Sequence, residues 1–427
     1  MILTIIIAAL EYFISIMVGS NYLAYLSTAI GIDAGTTGIL NSFVSLGCGF
    51  QIVALFMRGG RRIKPLVVFM NVANQLCFTF LYLIPLVDIP PMAKTTVFIV
   101  LLLAGHILMN LLFSPRVVWF KGLIPPKQLG VISTTSEMIS LVSGMGFTML
   151  MGSLIDYFEA AGNMTAVFIT CGITIAILTI ANTVCILFTK EKEPSAPDTQ
   201  PALTRLKSAI TDRATLTLIP LFVLWEFAHY GCISFFYTYA QDTLEFNMTT
   251  LALLSTVYAI VRSVVSIPMG KIGDKYSFAT MITLGMVAFV IGLGFNAFGG
   301  AVNYWIFYIL YAITMAGTNS AKMNIIYSSV TPERRTGAVS ILYTIGGFVG
   351  FFSTIAMRPL HDYVQNSGNS IFGIENVYPS QVLSVVGIIV TIIAIVYVNL
   401  VIRKMPKPAV DEKKELTEEA TRETAEA

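Results

Sequence analysis

The sequence predicts an all-α integral membrane protein that crosses the bilayer with twelve helices. Of its 427 residues, 56% are hydrophobic and only 12% are charged, whereas about a quarter of the residues in a soluble domain are charged. The hydrophobic residues form segments of about 20, the length that an α-helix needs to cross the hydrocarbon core. The basic residues lie in alternate connections between these segments, which is typical of a chain that crosses a membrane repeatedly.

Twelve apolar segments have the length and composition of a membrane span. We number them in chain order as spans one to twelve. Their predicted bounds are 2–27, 37–57, 63–84, 95–119, 129–153, 164–188, 214–240, 249–270, 278–299, 303–328, 337–359 and 381–402. The first segment begins at Ile2 with no basic stretch before it and no small-residue cleavage site after it. We therefore expect it to be retained as a helix rather than cleaved as a signal peptide.

Lys and Arg set the predicted orientation, because basic residues accumulate on the cytoplasmic side. They concentrate in the connections that follow the even-numbered spans, at Arg58, Arg61, Arg62, Lys64, Lys121, Lys127, Lys190, Lys192, Arg205, Lys207, Arg213, Lys271, Lys275, Arg334, Arg335, Arg403, Lys404 and Lys407. The opposite connections hold only Lys94 and, near a helix end, Arg358. Both termini are therefore predicted to be cytoplasmic, in a multi-pass protein of the plasma membrane.

The chain is predicted to divide into two halves of six spans each. Residues 1–189 form the N-terminal half and residues 214–404 form the C-terminal half. Residues 190–213 between them are rich in Pro, Ser and charged residues, which predicts a cytoplasmic linker. Residues 405–427 are charged and contain no aromatic residue, so we expect a disordered cytoplasmic tail. We expect the chain to act as a monomer in the lipid bilayer.

The composition also restricts the partners and the chemistry. The net charge is only +2, and the basic residues form no patch interleaved with aromatics, which disfavours nucleic acid. The five cysteines lie in apolar segments without the spacing of metal ligands, and we expect them to be small buried side chains. The three histidines lie on separate spans. We therefore expect no cofactor, no metal and no enzymatic activity.

The two halves of the sequence resemble each other. The stretch "GVIS" at Gly130 recurs as "GAVS" at Gly337, an offset of 207, and a "DY" pair recurs with an offset of 206. Glu11 matches Glu226 with an offset of 215. The matches occur in the same order in both halves, and the offset drifts in one direction, as small length differences in loops would cause. The sequence therefore predicts two parallel six-helix repeats.

This arrangement resembles the major facilitator superfamily (MFS) over essentially the whole chain. The signature of that superfamily after spans two and eight is G-x-x-x-D-[RK]. The second copy here is "GKIGDK", in which Gly270, Asp274 and Lys275 match and are expected to form a gating loop. The first copy, "MRGGRR", departs from the pattern, with Met57 in the Gly position and Arg61 in the Asp position. The resemblance implies the MFS fold and secondary transport by alternating access around a site near the bilayer midplane.

Six ionisable residues lie inside the predicted spans, where a charge costs about 2.5–3.5 kcal/mol or more at the centre of a helix. They are Glu11, Arg116, Glu137, Glu226, Arg262 and Lys322. Residues that are this costly are candidates for function by default. Because three are acids and three are bases, they favour pairing with each other over a cage for a strongly charged substrate.

Glu226 and Glu11 are the predicted sites of proton coupling. Each lies about 15 Å deep in a hydrocarbon core of about 30 Å. The superfamily resemblance implies that spans one, four, seven and ten line a central cavity, which would bring both carboxylates to it. A carboxylate in a partly dry cavity can carry a proton near neutral pH; the alternative is a carboxylate that only hydrogen-bonds a neighbouring helix. His229 shares a helix face with Glu226, so it can relay the proton, bind substrate or simply pack.

Polar and aromatic residues on spans four, seven and ten are the predicted substrate contacts. His106 and Asn110 share a face of span four, and Asn319 and Lys322 share a face of span ten. Lys322 can pair with Glu226 across the cavity, bind a substrate hydroxyl or carboxylate, or extend its ammonium toward the interface. The full set of predicted cavity residues is His106, Asn110, Trp225, Tyr230, Asn319 and Lys322.

The remaining intramembrane charges are predicted to be structural. Arg116 and Glu137 lie near the cytoplasmic ends of the adjacent spans four and five, which favours an ion pair between the two helices. Arg262 lies on a polar stripe of span eight and is predicted either at the interface between the halves or as a substrate ligand.

These observations favour proton-coupled uptake of a small polar, sugar-like solute. Span five has the glycines of the superfamily's antiporter motif in "SGMGFTMLMG" but lacks its proline, and span seven is rich in aromatic and hydrogen-bonding residues. The same aromatic residues also suit proton-driven efflux of amphipathic or drug-like compounds, which is the alternative. A membrane enzyme and a non-transporting sensor are disfavoured, because the sequence shows neither a catalytic cluster nor an appended soluble domain.

Overall fold

The computed structural model is almost entirely helical. It describes residues 2–56, 62–111, 113, 116, 119–120, 129–191, 202–371 and 374–405. The first copy of the repeated motif at 57–61, the middle of the linker and the predicted tail from residue 406 lie outside the described residues. One short antiparallel hairpin joins β1 (Ser370–Ile371) to β2 (Ile374–Glu375) in the connection before the last helix.

The described part of the N-terminal half includes eight helices and two short 3₁₀ segments. The helices are α1 (Ile2–Met17), α2 (Ser20–Ala29), α3 (Ala34–Asn41), α4 (Phe43–Gly49), α5 (Lys64–Leu81), α6 (Pro91–Leu111), α7 (Leu129–Ala160) and α8 (Met164–Phe188). The 3₁₀ segments are Phe50–Phe56 and Ile84–Leu86. Predicted span one is therefore made of α1 and α2, and predicted span two of α3, α4 and the first 3₁₀ segment.

The C-terminal half follows a short amphipathic helix, α9 (Ala202–Ile210). Its helices are α10 (Arg213–Ile233), α11 (Phe236–Thr238), α12 (Met248–Lys275), α13 (Phe278–Phe298), α14 (Ala301–Ser329), α15 (Pro332–Asn366) and α16 (Pro379–Leu400). A π-helical turn at Tyr239–Thr243 continues α11, and a 3₁₀ turn at Ile402–Lys404 follows α16.

Short polar side chains begin several of these helices. The side chains of Asp33, Asn163, Asp212, Asn247 and Ser277 each precede a helix and accept a hydrogen bond from the backbone N–H three residues later. This bond satisfies a donor that the helix itself leaves unpaired, and such a cap contributes about 0.5–2 kcal/mol. The sequence therefore fixes the ends of these helices locally.

Eleven helical segments in the described part of the chain are long and apolar enough to cross a membrane. They agree with eleven of the predicted spans, and the fifth ends seven residues later than predicted, at Ala160. The helix at the predicted tenth span, α14, has 29 residues but is not among them. Tyrosines, amides and Lys322 interrupt its apolar residues and lower its mean hydropathy. The count of twelve spans and the cytoplasmic termini remain predictions.

The packing repeats from one half to the other. In the N-terminal half α1 packs on α7 and α8, and α5 packs on α6 and α8. In the C-terminal half α10 packs on α15 and α16, and α13 packs on α14 and α16. The halves meet along two repeat-related contacts, α7 on α12 and α4 on α15. The internal repeat read from the sequence thus corresponds to a repeated set of helix contacts.

The first helix of each half is interrupted at equivalent positions. α1 ends at Met17 and α2 begins at Ser20, while α10 ends at Ile233 and α11 begins at Phe236. Ser20 adopts the left-handed backbone conformation, with φ +49°, which is unusual for a residue other than glycine. Equivalent ends of the two interruptions are 216 positions apart, close to the 215 positions that separate Glu11 from Glu226.

The two halves also touch at the ends that the basic residues assign to the outside. The Asp156 carboxylate, at the end of α7, accepts hydrogen bonds of 3.0 and 2.8 Å from the backbone N–H groups of Met248 and Thr249 at the start of α12. A carboxylate is favourable there because the N–H groups and the dipole make the start of a helix positive. The equivalent position in the other half is Asp362, whose Oδ2 accepts a 3.2 Å bond from Arg358.

Arg358 completes the second of these contacts. Its guanidinium lies 3.5 Å from the carboxylate of Asp33, which caps α3 in the opposite half. The Asp156 and Arg358 contacts therefore join the halves at both of their shared edges. These contacts hold the two halves together on the predicted outer side.

Candidate functional site

The central feature of the site is a buried ion pair between α10 and α14. The Nζ atom of Lys322 lies 2.7 Å from Oε1 of Glu226, and the two residues are only 7% and 8% exposed. The Lys322 ammonium also lies 5.6 Å from the ring centre of Phe222 and 5.7 Å from that of Trp225. The contact between Lys322 and Glu226 that the sequence suggested is therefore present in the structure.

Burial makes this pair sensitive to the loss of either charge. Taking two charges out of water is costly, and their mutual attraction offsets the cost only while both are present. Removing one partner of such a pair typically costs about 3–5 kcal/mol, because the other charge is left uncompensated. A proton that binds to Glu226 removes one charge in the same way, so protonation changes what holds α10 and α14 together.

The pair lies against α15, one of the four helices that form the main contacts between the halves. A Cβ atom added to Gly346 would lie 3.1 Å from Cγ of Glu226, so the absence of a side chain leaves room for the carboxylate. At the next residue, a Cβ on Gly347 would lie 2.5 Å from the backbone nitrogen of Gly49 on α4. The ion pair of one half is therefore one residue away from a close contact between the two halves.

His229 lies beside the pair and bonds elsewhere. Its Nε2 atom is 2.6 Å from the hydroxyl of Tyr311 on α14, and its ring stacks on Trp225 at 5.5 Å between centres. Its Nδ1 atom is buried and has no hydrogen-bond partner among the described residues. His229 thus joins α10 to α14 through Tyr311, and its proposed role in proton relay stays a prediction.

A second ion pair lies in the N-terminal half. Nη1 of Arg116, just beyond α6, lies 2.6 Å from Oε1 of Glu11 on α1. The predicted contact between Arg116 and Glu137 involves a side chain that lies outside the described residues, and it stays a prediction. Glu11, which we predicted as a cavity carboxylate, is therefore bound to an arginine within its own half.

The two ion pairs are related by the internal repeat. Glu11 and Glu226 are 215 positions apart, and Arg116 and Lys322 are 206 positions apart, the offset that also relates the two "DY" sequences. Each pair joins the first span of its half to the fourth. The nearest match along the sequence, Gly130 with Gly337, has an offset of 207, so the repeat places Arg116 within one residue of the position equivalent to Lys322.

The predicted residues of span four lie inside the N-terminal half. The ring of His106 packs on Phe78 with 5.3 Å between centres, and neither of its nitrogens has a partner in the described part of the chain. The Asn110 amide donates a 3.0 Å bond to the backbone oxygen of His106 and accepts bonds from Gln51 and Cys48. These contacts fix Asn110 toward α4 and the 3₁₀ segment that follows it.

The remaining predicted residues have separate surroundings. Trp225 is fully buried beside the ion pair, whereas Asn319 is only partly buried on α14. Tyr230 packs edge-on against His229 with 4.6 Å between ring centres. Arg262 donates a hydrogen bond to Tyr258, one turn earlier on α12, and interacts electrostatically with Tyr12 on α1. Arg262 therefore lies at the interface between the halves, one of the two positions predicted for it.

The residues of the predicted gating loop belong to a helix. Gly270, Asp274 and Lys275 form the last turns of α12, which continues five residues beyond the predicted end of span eight. The Lys275 ammonium lies 5.3 Å from the ring centre of Tyr276, the residue that ends the helix. The expectation of a loop at these positions is wrong, and their gating role stays a prediction.

A cavity of about 220 Å³ lies between the halves, next to the interruption in span one. Its polar and aromatic lining comes from both halves, at Tyr12, Ser15, Ser20, Asn21, Thr148, Ser255, Tyr258 and Tyr308. None of the residues that we predicted for the substrate cavity is among those that line it. The structure thus separates this cavity from the buried ion pair. Among the described residues, no group of three or more His, Cys, Asp or Glu side chains is placed to hold a metal ion.

The fold and the paired intramembrane charges are those of a polytopic transport protein. The chain matches the Major Facilitator Superfamily over residues 4–354 and again over residues 231–425. It therefore belongs to this superfamily of membrane transporters, as the sequence predicted. No curated protein is significantly similar to the chain in sequence.

Solved structures share this fold at low sequence identity. A variant of the nucleoside transporter NupG has a TM-score of 0.69 at 12% identity, covering 93% of this chain and 98% of that one. A bacterial homologue of the human lysosomal transporter Spinster, inward-facing and occupied, has a TM-score of 0.65 at 13% identity, with coverages of 96% and 98%. A D-xylose–proton symporter has a TM-score of 0.63 at 12% identity, with coverages of 91% and 96%.

Proposed function

We propose that the chain is a proton-coupled secondary transporter that takes up a small polar solute, and that Glu226 binds the coupled proton. The observation that carries the proposal is the buried Glu226–Lys322 ion pair, at 2.7 Å between α10 and α14. A proton on Glu226 cancels the charge that compensates Lys322. The energy of the pair therefore depends on protonation, which is what coupling requires.

The surroundings of the pair provide a second position for the lysine. When Glu226 is neutral, the Lys322 ammonium still faces the rings of Phe222 and Trp225, at 5.6 and 5.7 Å. A cation over an aromatic face gains about 0.5–2 kcal/mol, less than a buried ion pair provides. Protonation is therefore expected to weaken the link between α10 and α14 without leaving the ammonium wholly unpaired.

The position of the pair supports transmission to the two halves. Gly346 on α15 lies against Glu226, and the next residue lies against α4 of the other half. A change in the Glu226 side chain therefore acts close to the contact about which the halves move in alternating access. The Glu11 carboxylate is bound by Arg116, and arginine does not lose its proton. We assign it to organising the N-terminal half.

The proposed kind of solute rests on the lining of the cavity. Among the described residues, every side chain that lines it is uncharged, and most carry a hydroxyl or an amide. Such a wall favours a polar uncharged solute over a lipophilic cation. The solved structures with this fold include a nucleoside transporter and a D-xylose–proton symporter, which supports the same class of solute. The runner-up is proton-driven efflux of amphipathic compounds, which the aromatic residues of α10 and α14 also suit.

The test uses Glu226→Gln in proteoliposomes with an imposed pH gradient. Glutamine keeps the shape of the side chain but fixes it in an uncharged form. We expect the variant to lose accumulation driven by the gradient while solute exchange across the membrane persists, because exchange needs no net proton movement. Glu375→Gln, in the exposed hairpin, is the matched control and should accumulate solute normally.

Each alternative gives a different result in the same assay. Full gradient-driven accumulation by Glu226→Gln would contradict the role of Glu226. If the solute instead leaves the vesicles against its gradient as protons enter, the protein is an antiporter and the efflux reading is correct.

A further inference from the structure

We infer that a small cavity on the predicted outer side binds a small organic cation that carries N–H groups, such as a primary ammonium or a guanidinium ion. The cavity, of about 90 Å³, lies between the π-helical turn Tyr239–Thr243, the end of α15 and the start of α16. Apart from Ala34, its described lining belongs to the C-terminal half, and it shares no described residue with the cavity of about 220 Å³ between the halves. The inference therefore does not depend on the proposed transport function.

His361 on α15 provides a hydrogen-bond acceptor in the wall. Its side chain is only 4% exposed, and its Nδ1 atom lies 3.0 Å from Oδ1 of Asp362. Because a carboxylate accepts hydrogen bonds, Nδ1 carries the hydrogen of the neutral ring and Nε2 carries the free lone pair. Nε2 has no hydrogen-bond partner in the described part of the chain and is not fully enclosed, so it is accessible from the cavity that His361 lines. This nitrogen can accept a hydrogen bond from a bound ligand.

Asp242, in the π-helical turn, gives the wall a negative charge. Among the described residues that line the cavity, it is the only one with a full charge. Its carboxylate forms no hydrogen bond or ion pair within the described part of the chain. The wall therefore favours a positive ligand, because the carboxylate oxygens can accept charge-assisted hydrogen bonds from N–H groups.

Aromatic rings and an amide form the rest of the recognition surface. The ring of Phe235 stacks on that of His361 with 4.8 Å between centres, and the rings of Tyr239 and Tyr378 are 5.6 Å apart. A cation near the face of such a ring is attracted by its π electrons. Gln365 also lines the cavity, and its amide oxygen can accept a further N–H group. A ligand that combines positive charge with several N–H groups uses all of these features.

Charge, coordination and size disfavour other ligands. An anion would lie beside the Asp242 carboxylate. A Zn²⁺ site uses at least three protein ligands, and among the described residues no group of three or more His, Cys, Asp or Glu side chains is placed to hold a metal ion. Ca²⁺ and Mg²⁺ take oxygen ligands, for which an imidazole nitrogen is unsuited. The volume of about 90 Å³ corresponds to the liquid volume of about three water molecules, which limits the ligand to a few heavy atoms.

Binding to the purified full-length protein tests the inference at pH 8, where an ordinary imidazole is neutral. The probes are ethylammonium and guanidinium, compared with tetramethylammonium and sodium, which have no N–H group, all as chloride salts at equal concentration. They are titrated through the millimolar range, because a ligand of few atoms binds weakly, and the readout is the shift in thermal unfolding. We expect ethylammonium, guanidinium or both to stabilise the protein relative to sodium and tetramethylammonium. No stabilisation by either N–H cation, or an equally large effect of tetramethylammonium, would overturn the inference.

Two carboxylate variants locate the site. Asp242→Asn removes the charge on the wall and is expected to weaken binding about tenfold or more, the loss of one charge-assisted hydrogen bond. Glu245→Gln removes a charge nearby in the sequence that lines a different cavity, of about 420 Å³, and should bind normally. Asp242 lines both cavities, so an equal loss of binding in the two variants would place the ligand in the larger cavity and overturn the location. Unchanged binding in Asp242→Asn would overturn it as well.

His361→Phe tests the acceptor separately and replaces Asp242→Asn if that variant does not fold. Phenylalanine keeps a flat ring beside Phe235 but has no Nε2, so we expect binding to weaken by a similar factor. Tyr363→Phe, at an exposed position of the same helix, is the control and should bind normally. Full binding by a folded His361→Phe protein would show that Nε2 is not the acceptor and would overturn the inference.

Discussion

At the scale of single residues, the account depends on the balance of two buried charges. Glu226 and Lys322 compensate each other at 2.7 Å in a position that water scarcely reaches. A mutation that removes one charge should therefore be worse than one that removes both, because the double change leaves no unpaired charge in the protein interior.

The corresponding prediction compares Lys322→Met alone with Lys322→Met combined with Glu226→Gln. The single variant is expected to lower the free energy of unfolding by up to about 3–5 kcal/mol, and the double variant should regain most of that loss. Thermal unfolding of the purified proteins measures the difference. A double variant that is less stable than the Lys322→Met single variant would show that the pair is not the stabilising contact. Neither variant is expected to couple transport to protons.

A second residue-scale prediction concerns the glycine beside Glu226. Gly346→Ala would place a methyl group 3.1 Å from Cγ of Glu226, so the carboxylate must shift by a few tenths of an ångström. We expect slower proton-driven transport with nearly normal folding. Gly294→Ala on α13 is the matched control, since nothing lies within 4 Å of the added methyl. Equal transport rates in the two variants would remove Gly346 from the coupling route.

At the scale of elements, the interruptions in spans one and seven distinguish this bundle from one of straight helices. The chain turns at Gly19 and Ser20, and Ser20 has φ +49°. Glycine adopts this conformation without a steric cost, whereas a β-branched residue does not. The break brings Ser20 and Asn21 to the wall of the cavity between the halves.

The element-scale prediction follows from that backbone conformation. Ser20→Gly should retain folding and solute exchange, whereas Ser20→Val should reduce both, because valine strongly disfavours a positive φ. Expression of folded protein and the exchange of labelled solute in proteoliposomes measure the two effects. Similar behaviour of the two variants would mean that the interruption does not require this conformation.

At the scale of the whole molecule, the halves are held together on the predicted outer side by carboxylates at equivalent positions. Asp156 binds the start of α12, and Asp362 shares Arg358 with Asp33 beside the start of α3. These contacts must break for the protein to open outward. They therefore set part of the free-energy difference between the two conformations.

Weakening one of these contacts should shift the population of conformations. Asp156→Asn keeps the size of the side chain but removes its negative charge from the start of a helix, and a change of about 1.4 kcal/mol corresponds to a tenfold shift in population. We expect the outward-open form to increase, measured by the distance between spin labels on the outer ends of α7 and α12. Glu375→Asn is the control. An unchanged distance distribution would show that Asp156 does not hold the outer side closed.

The outer contact should resist mild acid. Burial raises the pKa of Asp33, but its hydrogen bonds with Thr36 and the positive charge of Arg358 together hold that pKa below its ordinary value. A carboxyl group with a lowered pKa contributes fully above its ordinary pKa and loses its contribution only as the pH falls through the lower value. Lowering the external pH to about 5 should therefore leave the spin-label distance between α3 and α15 unchanged. A change at that pH would contradict this assignment.

The sequence was informative where physical rules act along one helix, and less so where helices meet. The length and hydropathy of the apolar segments located the spans. The depth of Glu226 and Lys322 in the predicted bilayer suggested that the two side chains could meet. The cavity could not be located in this way, because its lining depends on helix rotation and on the break at Ser20, and a single serine gives no sequence signal for a left-handed turn. The Glu11–Arg116 contact was not predicted, for a related reason: it joins helices that are not neighbours in the sequence, whereas the predicted partner Glu137 lies on the adjacent span.

The most direct test of the central claim is the proton movement that accompanies solute flux. In proteoliposomes loaded with a pH-sensitive dye and held at zero membrane potential, adding the transported solute outside should acidify the interior of wild-type vesicles. The account predicts that Glu226→Gln vesicles exchange labelled solute but show no acidification, while Glu375→Gln vesicles behave as the wild type. Solute-dependent acidification of normal size in the Glu226→Gln vesicles would contradict the claim that this carboxylate carries the coupled proton.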